Sequence, residues 1–396
     1  MKLSKYADRL VGQPMFKISE KVNAWNSNFS QFEIGDPDFQ TPKAIKDATI
    51  TAILQGNTHY TKSSGCDELK ESIIRFNHLH GDITPEFNQV VIAPGCNPLV
   101  YAVIRCIVDE GDAVAIPDPG FPTYRSVLDF LAIEAVSIPL LESNGFNPDP
   151  QDIENLPDNV RLVILNSPSN PTGAMLTEET ANEISDICER KGIYLLSDEI
   201  YSLMSYGDKH YTPCYKDKCK NHTIMINGFS KAFAMSGFRL GYMIAPPPLA
   251  EKVSLLLQTI VSCTSHFVQL AGVEAYDRIP SDLKRNLSVL TDRRSVLVEG
   301  LNQIPGITCT MPQGAFYVFP NIKGTSLSSN EFTDLVFKRY VSLVSGADFG
   351  KYGEGYVRMA FTQSTVQARM GLHRIGKALL GNDKMFPITK QLGREI

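Results

Sequence analysis

Residues 162–173 have the sequence LVILNSPSNPTG, in which a short, continuous apolar run leads directly into a polar turn. Four other apolar runs of this kind, at residues 89–93, 113–116, 193–196 and 223–226, are also followed by turn or cap residues. Longer amphipathic segments separate the runs. Continuous apolar strands that alternate with helical segments are typical of a mostly parallel sheet that helices cover on both faces. The sequence therefore predicts an α/β fold.

The composition excludes several classes of protein. The chain has 396 residues, of which 43% are hydrophobic and 20% are charged, so it holds enough apolar material for a large packed core. Its 38 Lys and Arg residues against 43 Asp and Glu residues give a formal net charge of -5, so an electrostatic nucleic-acid binder is not expected. No apolar stretch approaches the roughly 20 residues of a membrane span, so no membrane partner is expected.

The amino-terminal sequence and the cysteines indicate the compartment. Residues 1–8, MKLSKYAD, lack the apolar core of a signal peptide. The eight cysteines are scattered along the chain, which fits free thiols in a reducing compartment better than a disulfide framework. We therefore expect a cytoplasmic protein.

Two domains are expected from the change of pattern along the chain. Residues 41–282 contain the alternating strands and helices and are predicted to form the large domain. The small domain is predicted to combine residues 1–40 with residues 283–396, where long helical patterns alternate with short strands and indicate an α+β lobe. The polar stretch from residue 381 onward is expected to fray.

Polar side chains follow three successive strands of the predicted sheet. They are Asn166 and Asn170, Asp198 and Tyr201, and Lys231, with Arg239 eight residues further on. Each has an ordinary structural explanation by itself: Asn-Pro-Thr-Gly is a common turn, Asp198 could cap a helix, and a lone lysine is usually a surface charge. Ligands bind at the carboxyl ends of parallel strands, however, and together these groups suit an anionic heteroaromatic cofactor.

Further short segments occur in a fixed order along most of the chain. They are residues 35–39 (GDPDF), 60–65 (YTKSSG), 119–122 (PGFP), the turn at Asn170, and residues 198–201 (DEIY), 231–242 (KAFAMSGFRLGY), 314–317 (GAFY) and 357–358 (VR). With these segments the chain resembles the class I and II aminotransferases, pyridoxal-phosphate-dependent enzymes of the aspartate aminotransferase fold (fold type I). The resemblance implies a large domain with a mostly parallel sheet of the seven-stranded type flanked by helices, plus a smaller α+β domain. It also implies transfer of an amino group from an L-α-amino acid to a 2-oxo acid.

The resemblance implies roles for the residues at the strand ends. Lys231 would form a Schiff base with pyridoxal 5'-phosphate and, once the substrate displaces it, move a proton as general base and acid. Asp198 would keep the pyridine nitrogen protonated, so that the ring withdraws electrons. Tyr201 and Asn170 would hydrogen-bond the 3-oxygen of the ring, and Phe121 would stack on its face. Lys231, Asp198 and Tyr201 are therefore the expected catalytic residues.

Backbone amides are expected to bind the phosphate of the cofactor. The residues concerned are Gly95, Cys96 and Asn97, which lie between a predicted strand and a helix predicted to begin at Pro98. The amides and the helix dipole then point at one place, which is the usual arrangement for anion binding at a helix amino terminus.

Three side chains complete the phosphate site by the resemblance. Ser230 would supply a hydroxyl group and Arg239 a guanidinium that binds two oxygens at once. Tyr60 resembles the tyrosine that reaches the phosphate from the neighbouring subunit. The enzyme is therefore expected to be a homodimer with shared active sites.

The substrate-binding residues implied by the resemblance are Arg358, Gly35 and Asn170. Arg358 matches the arginine that holds the α-carboxylate of the substrate, a role for which a planar guanidinium is suited. Cys96 stands where some aspartate-using relatives have a lysine that binds the second carboxylate of the substrate. The absence of this lysine argues against a dicarboxylate substrate without excluding one. Residues 15–18 (MFKI) match a stretch that often lines the side-chain pocket, and their mixture of apolar bulk and one cation does not decide between apolar and acidic substrates.

Particular residues bear on other possible functions. His210, Cys214, Cys219 and His222 are close in sequence and could in principle bind zinc, but their order matches no strong finger pattern, so polar loop residues are preferred and no metal is expected. No Gly-x-Gly-x-x-Gly motif follows an early strand, which argues against a nicotinamide-binding fold. Two alternatives stay open: a binding protein with a vestigial Lys231 site, and a carbon–sulfur β-lyase or other pyridoxal-phosphate-dependent elimination or oxidation enzyme on the same fold.

Overall fold

The fold is seen in a computed structural model that describes residues 2–25, 28–81, 83–277 and 281–380. The stretch from residue 381 onward, for which fraying is predicted, lies outside the described residues. The described residues form twelve strands: β1 (Ser30–Gln31), β2 (Val90–Ala93), β3 (Ala113–Asp118), β4 (Glu134–Pro139), β5 (Val160–Asn166), β6 (Tyr194–Asp198), β7 (Thr223–Gly228), β8 (Gly241–Ile244), β9 (Tyr317–Val318), β10 (Val341–Ser342), β11 (Val344–Ser345) and β12 (Val357–Ala360).

Twelve α-helices are formed by the same described residues. They are α1 (Pro14–Trp25), α2 (Lys43–Leu54), α3 (Asp67–His80), α4 (Cys96–Ile107), α5 (Pro122–Leu131), α6 (Pro150–Glu154), α7 (Glu178–Lys191), α8 (Pro247–Val261), α9 (His266–Asp277), α10 (Ser281–Leu301), α11 (Ser329–Phe337) and α12 (Thr365–Leu380). None of the helices in the described ranges combines the length and the apolar character needed to cross a membrane.

Seven strands form one sheet in the order β2-β8-β7-β6-β5-β3-β4. The pairs from β7 to β4 are parallel, whereas β8 pairs antiparallel with both β7 and β2. The predicted mostly parallel sheet of the seven-stranded type is therefore confirmed. Because β8 is reversed, its first residue lies at the edge where the parallel strands end, as the pairing of Gly228 with Gly241 shows.

The packing of β5 explains why helices cover both faces of this sheet. Leu162 and Ile164 belong to a buried cluster that includes residues of α4 and α8. Val163 and Leu165 belong to a separate buried cluster that includes residues of α7. Successive side chains of a strand point to opposite faces, so an uninterrupted apolar run is required where both faces are buried. In β5 the polar residues Arg161 and Asn166 accordingly lie near the two ends of the strand.

Helix α4 begins two residues before the predicted start at Pro98. Proline lacks a backbone N–H, but the N–H groups of the first helical turn have no partner within the helix in any case. Pro98 therefore marks the first turn of α4, not its first residue. The residue before the helix, Gly95, has a φ of 97°, a conformation that glycine adopts without strain.

A second, three-stranded antiparallel sheet has the order β11-β12-β9 and carries Arg358 on its central strand. Helices α10, α11 and α12 pack in the same part of the chain, which agrees with the predicted α+β lobe. Strand β1 pairs parallel with β10, with Ser30 opposite Val341, so the amino-terminal segment is attached to the carboxyl-terminal part. The division of the chain at residues 41 and 282 stays a prediction.

Candidate active site

A cavity of about 530 Å³ opens at the edge of the large sheet where the parallel strands end. Eleven of the residues predicted from the sequence line it, namely Gly35, Cys96, Asn97, Phe121, Asn170, Asp198, Tyr201, Ser230, Lys231, Arg239 and Arg358. Gly95 lies next to Cys96, just outside the lining. Tyr60 does not line the cavity of its own chain, and it is 86% exposed.

Lys231 follows β7 and lies within the cavity. Its Nζ donates a hydrogen bond of 2.7 Å to the carbonyl oxygen of Gly35. Burial lowers the pKa of this amine to about 8, against the opposing effect of the Asp36 carboxylate. A substantial fraction of the amine is then neutral near physiological pH, which is the form that attacks a carbonyl group.

Asp198 ends β6 and is buried at the side of the cavity. Its carboxylate accepts a hydrogen bond of 2.6 Å from the Tyr124 hydroxyl and one of 3.3 Å from the backbone amide of Ile200. Burial raises the pKa of Asp198 to about 6. Among the described residues no cation forms an ion pair with it, so at neutral pH it is a buried anion without a counter-ion.

Tyr124 was missed by the sequence analysis, although it lies one helical turn after Phe121 at the start of α5. Phe121 is the residue before the helix and has an extended backbone; its ring centre lies 5.7 Å from that of Tyr124, and both side chains line the cavity. No local pattern identifies Tyr124, because its partner Asp198 is 74 positions away in the sequence.

Tyr201 and Tyr317 form a second buried pair in the cavity. Their hydroxyl groups are 2.9 Å apart, and burial raises the pKa of Tyr201 well above its usual value. Tyr317 also lines the cavity and was not singled out from the sequence, although it ends the GAFY segment. A Cβ on Gly35 would collide with the Tyr317 hydroxyl, which explains why a glycine is required there.

A cradle for an anion lies at the beginning of α4. A Cβ on Gly95 would collide with the guanidinium of Arg239, so the two residues are in close contact only because position 95 is a glycine. Arg239 itself comes just before the reversed strand β8, and its Nη1 donates 2.9 Å to the carbonyl of Ser236. The free amides of the first turn, the guanidinium and the Ser230 hydroxyl therefore converge. Burial raises the pKa of the Cys96 thiol, which stays neutral.

Arg358 is fully buried on β12. Its Nη1 donates 3.2 Å to Oδ1 of Asn170 and its Nη2 donates to the carbonyl of Glu33, while its Nε is buried without a partner. The guanidinium lies 4.6 Å from the centre of the Tyr317 ring and 5.0 Å from that of Phe349. None of the described residues forms an ion pair with it. Held between two rings, this cation is open to a planar anion.

Apolar and amide side chains form the remaining wall of the cavity. Met15 and Phe16 line it with Gln13, whose Nε2 donates 2.6 Å to the Thr123 hydroxyl. Lys17 lies instead in a neighbouring cavity of about 470 Å³. The sequence does not decide whether residues 15–18 line the substrate pocket with apolar side chains or with the Lys17 cation. In the structure only the apolar side chains of Met15 and Phe16 line this cavity.

The four residues considered for zinc are not brought together. His210 contacts the carboxylate of Glu199 at 2.9 Å, and the His222 Nε2 lies 3.3 Å from the Ser185 hydroxyl. Cys214 and Cys219 are both fully buried. The preferred interpretation of these residues as polar loop residues is therefore wrong for the cysteines, which are buried, and both histidines have hydrogen-bonding partners.

Comparison with known proteins identifies the family. The family model "Aminotransferase class I and II" matches residues 27–375. An aspartate aminotransferase of Pyrococcus horikoshii is 40% identical over 355 residues, covering 88% of this chain and 90% of its own length. A probable aspartate/prephenate aminotransferase of Aquifex aeolicus is 34% identical, with coverage of 95% and 98%.

Solved structures agree with these matches. The aspartate aminotransferase of Thermus thermophilus with maleate has a TM-score of 0.91 at 26% identity, covering 96% of this chain and all (100%) of its own. An aromatic aminotransferase of Pyrococcus horikoshii has a TM-score of 0.86 at 31% identity, with coverage of 91% and 98%. The chain therefore belongs to the class I and II aminotransferases, and it is an enzyme that transfers an amino group from an amino acid to a 2-oxo acid.

Proposed function

We propose that this aminotransferase holds pyridoxal 5'-phosphate in the cavity, covalently bound to Lys231, and acts on L-α-amino acids with neutral side chains. The observation that carries the proposal is the pair formed by a reactive amine at Lys231 and a buried, unpaired carboxylate at Asp198 in one cavity. The chemistry of the donors around them fits the cofactor at both of its ends.

The phosphate end fits the cradle at α4. The amides at Cys96 and Asn97 would bind phosphate oxygens, whereas the Gly95 amide already donates 2.8 Å to the Ala93 carbonyl. Arg239 and Ser230 would add a charge and a hydroxyl. The ring end fits Asp198, because a protonated ring nitrogen would supply the cation that this buried carboxylate lacks. Bound there, the cofactor would supply an electron sink that stabilises negative charge at the substrate Cα.

Lys231 would act twice. As an amine with a pKa of about 8 it can first bind the cofactor and later, once freed by the substrate amine, take the proton from the substrate Cα and deliver it to the C4′ atom of the cofactor. The hydrogen bond to the Gly35 carbonyl holds Nζ at the centre of the cavity. Removal of the proton from the substrate Cα is the step that distinguishes transamination from mere binding of the amino acid.

The other residues would orient the reacting groups. Tyr124 holds the Asp198 carboxylate by its hydroxyl, and Tyr317 holds the hydroxyl of Tyr201. Tyr201 and Asn170 would then bind the 3-oxygen of the ring, and Phe121 would pack on the face of the ring.

The α-carboxylate of the substrate would bind Arg358. This guanidinium is fully buried and unpaired among the described residues, and its Nε lacks a partner, so a carboxylate would satisfy both its charge and its free donor. Asn170 already contacts Nη1 and would help to fix the approach, with Gly35 leaving room beside it.

The charges that line the cavity favour a neutral substrate side chain. Lys231, Asp198 and Arg239 are used by the cofactor and Arg358 by the α-carboxylate, which leaves Asp36 as the one remaining charged residue of the described lining. A second carboxylate would find no free cation and would face an acid. One of the similar proteins is named for aspartate, whose side chain is a carboxylate, and another is named for aromatic amino acids, whose side chains are neutral. The charges of this cavity favour a substrate with a neutral side chain.

A homodimer with shared sites is the third part of the proposal. Tyr60 is 86% exposed, which is unusual for a tyrosine in a folded chain and suits a side chain that reaches a partner. Ser63, close to Tyr60, contacts Ser254 of α8 at 3.2 Å, and α8 carries the exposed apolar residues Leu255 and Ile260. Apolar surface beside Tyr60 is what a second copy of the chain would cover.

Lys231→Ala is expected to lose the absorbance of the covalently bound cofactor and at least about 1,000-fold in activity, because both the attachment and the proton carrier are removed. The measurement is a half-reaction: a single amino acid is added to the cofactor-loaded enzyme and conversion to pyridoxamine phosphate is followed by its spectrum. Lys43→Ala, at an exposed lysine on α2, is the control and should behave as the wild type. Formation of pyruvate and ammonia by the wild type would instead indicate a β-lyase.

The side-chain class is tested by comparing kcat/KM for leucine, methionine and phenylalanine with that for aspartate and glutamate. An unpaired second carboxylate should reduce kcat/KM by at least about tenfold, corresponding to ~1.4 kcal/mol or more. Asp36→Asn removes the facing acid and should shift the ratio toward the dicarboxylic substrates. A wild-type preference for aspartate or glutamate would refute this part of the proposal without affecting the assignment of Lys231.

Tyr60→Phe is expected to weaken cofactor binding by about 10- to 100-fold, through loss of a hydrogen bond to a charged group, without unfolding the protein. Equilibrium dialysis of the cofactor measures this, and Tyr215→Phe, at another exposed tyrosine, is the matched control. Mixed dimers of Tyr60→Phe and Lys231→Ala chains should regain one complete site. Unchanged cofactor retention in Tyr60→Phe would contradict a shared site.

A further inference from the structure

A group of three potential metal ligands lies apart from the catalytic cavity. The Cys66 sulfur, a carboxylate oxygen of Glu68 and a ring nitrogen of His266 all lie within 4.8 Å of one another. Among the residues that the structure describes, no other group of three His, Cys, Asp or Glu residues meets this criterion. Ligands of tetrahedral zinc, at about 2.0–2.3 Å from the metal, lie roughly 3.3–3.8 Å apart, so small side-chain movements would close the group around an ion.

Two helices bring these residues together over 200 positions of sequence. Cys66 directly precedes α3 and Glu68 lies in its first turn, while His266 is the first residue of α9. Helices α3 and α9 pack against each other. The three side chains therefore meet where the first turns of both helices lie side by side.

The fully buried side chain of Gln269 fixes this arrangement. Its Oε1 accepts a hydrogen bond of 2.7 Å from the Cys66 backbone amide, and its Nε2 donates 2.7 Å to the Thr264 carbonyl and 3.1 Å to the Thr61 hydroxyl. Gln269 lies one turn after His266 on α9, so it holds the backbone of Cys66 at a set distance from the helix that carries the histidine. A site whose supports are already in place needs little reorganisation to bind a ligand.

The charges at the group favour a cation. The Cys66 sulfur is buried, and the Glu68 carboxylate lies within 4.8 Å of it and of the His266 ring nitrogen. The two lysines nearest in sequence are engaged elsewhere: Lys62 pairs with Asp67 at 2.6 Å, and the Lys70 Nζ lies 4.7 Å from the centre of the Phe87 ring.

We propose that Cys66, Glu68 and His266 bind one Zn²⁺ ion, with water in the fourth position. A thiolate and an imidazole select a borderline metal such as zinc, whereas magnesium and calcium prefer oxygen ligands alone. On binding, the S–H bond of Cys66 breaks, a Zn–S bond forms and the proton passes to solvent, so nothing is oxidised or reduced. The ion joins the start of α3 to the start of α9 and takes no part in the transfer of the amino group.

The test uses the cofactor-loaded enzyme after treatment with a chelator and desalting. Zinc alone is added, excess metal is removed, and zinc per chain is measured by elemental analysis. One equivalent is expected to remain. Cobalt is then substituted, and the difference spectrum against the zinc form, in which the cofactor absorbance cancels, should contain a thiolate-to-cobalt charge-transfer band.

Variants separate this site from other thiols. Glu68→Gln, at an exposed position, should fold normally and weaken zinc binding at least about tenfold, and Cys66→Ser and His266→Gln should weaken it by more than about 100-fold. Cys263→Ser removes a half-buried thiol three residues from His266 that is outside the group, and it should leave binding unchanged. Less than a tenth of an equivalent of zinc in the wild type, or equal binding by the wild type and Glu68→Gln, would overturn the proposal.

Discussion

Two buried charges without an ion-pair partner in contact among the described residues are the constraint on which the catalytic region depends. The Asp198 carboxylate has a tyrosine hydroxyl and a backbone amide as partners. The Arg358 guanidinium donates to carbonyl oxygens and lies against two aromatic rings, and the Glu33 and Asp348 carboxylates act on it from beyond ion-pair distance. Removing an ion from water without a partner costs several kcal/mol, so such groups are retained where a ligand completes them. A protonated ring nitrogen completes the first and a substrate carboxylate the second. The two sites together fix where a cofactor and an amino acid meet, and Lys231 lines the same cavity.

The topology of the sheet delivers these groups to one edge. Asn166 and Asp198 lie opposite each other at the ends of two adjacent parallel strands, and the next strand continues two residues beyond Ile226, the partner of Asp198, to end at Gly228. The reversal of β8 is what adds Arg239, because the residues before a reversed strand lie at the same edge as the residues after its parallel neighbours. Arg358 comes from the smaller sheet and reaches the cavity from the other side through its contact with Asn170. One antiparallel strand therefore adds a guanidinium to the groups that the parallel strands supply.

The sequence predicted the part of the fold and of the site that is encoded locally. An apolar run such as residues 162–165 has to be a doubly buried strand, and the polar residue that follows has to lie at its end. Contacts between residues that are far apart in the sequence could not be predicted from it. Tyr124 bonds Asp198 over 74 positions, and Tyr317 bonds Tyr201 over 116, so neither partner can be inferred from spacing. The same limit applies to the metal ligands: His210 and Cys214 are close in sequence but belong to no group of three ligands among the described residues, whereas Cys66 and His266 are far apart in sequence and do.

The most direct test of the central claim is the thermal stability of Asp198→Asn with and without cofactor. Burial raises the pKa of Asp198 to about 6, so the folded protein binds this proton more tightly than the unfolded chain, and the stabilisation present at low pH is lost as the pH rises through 6. Without cofactor, the asparagine variant should therefore be the more stable protein at pH 8, by on the order of 3 kcal/mol, and the difference should narrow as the pH falls to 5. With cofactor the order should reverse, because only the carboxylate gains a cationic partner. A variant that is less stable than the wild type at pH 8 without cofactor would contradict the account, as would a difference that does not change with pH.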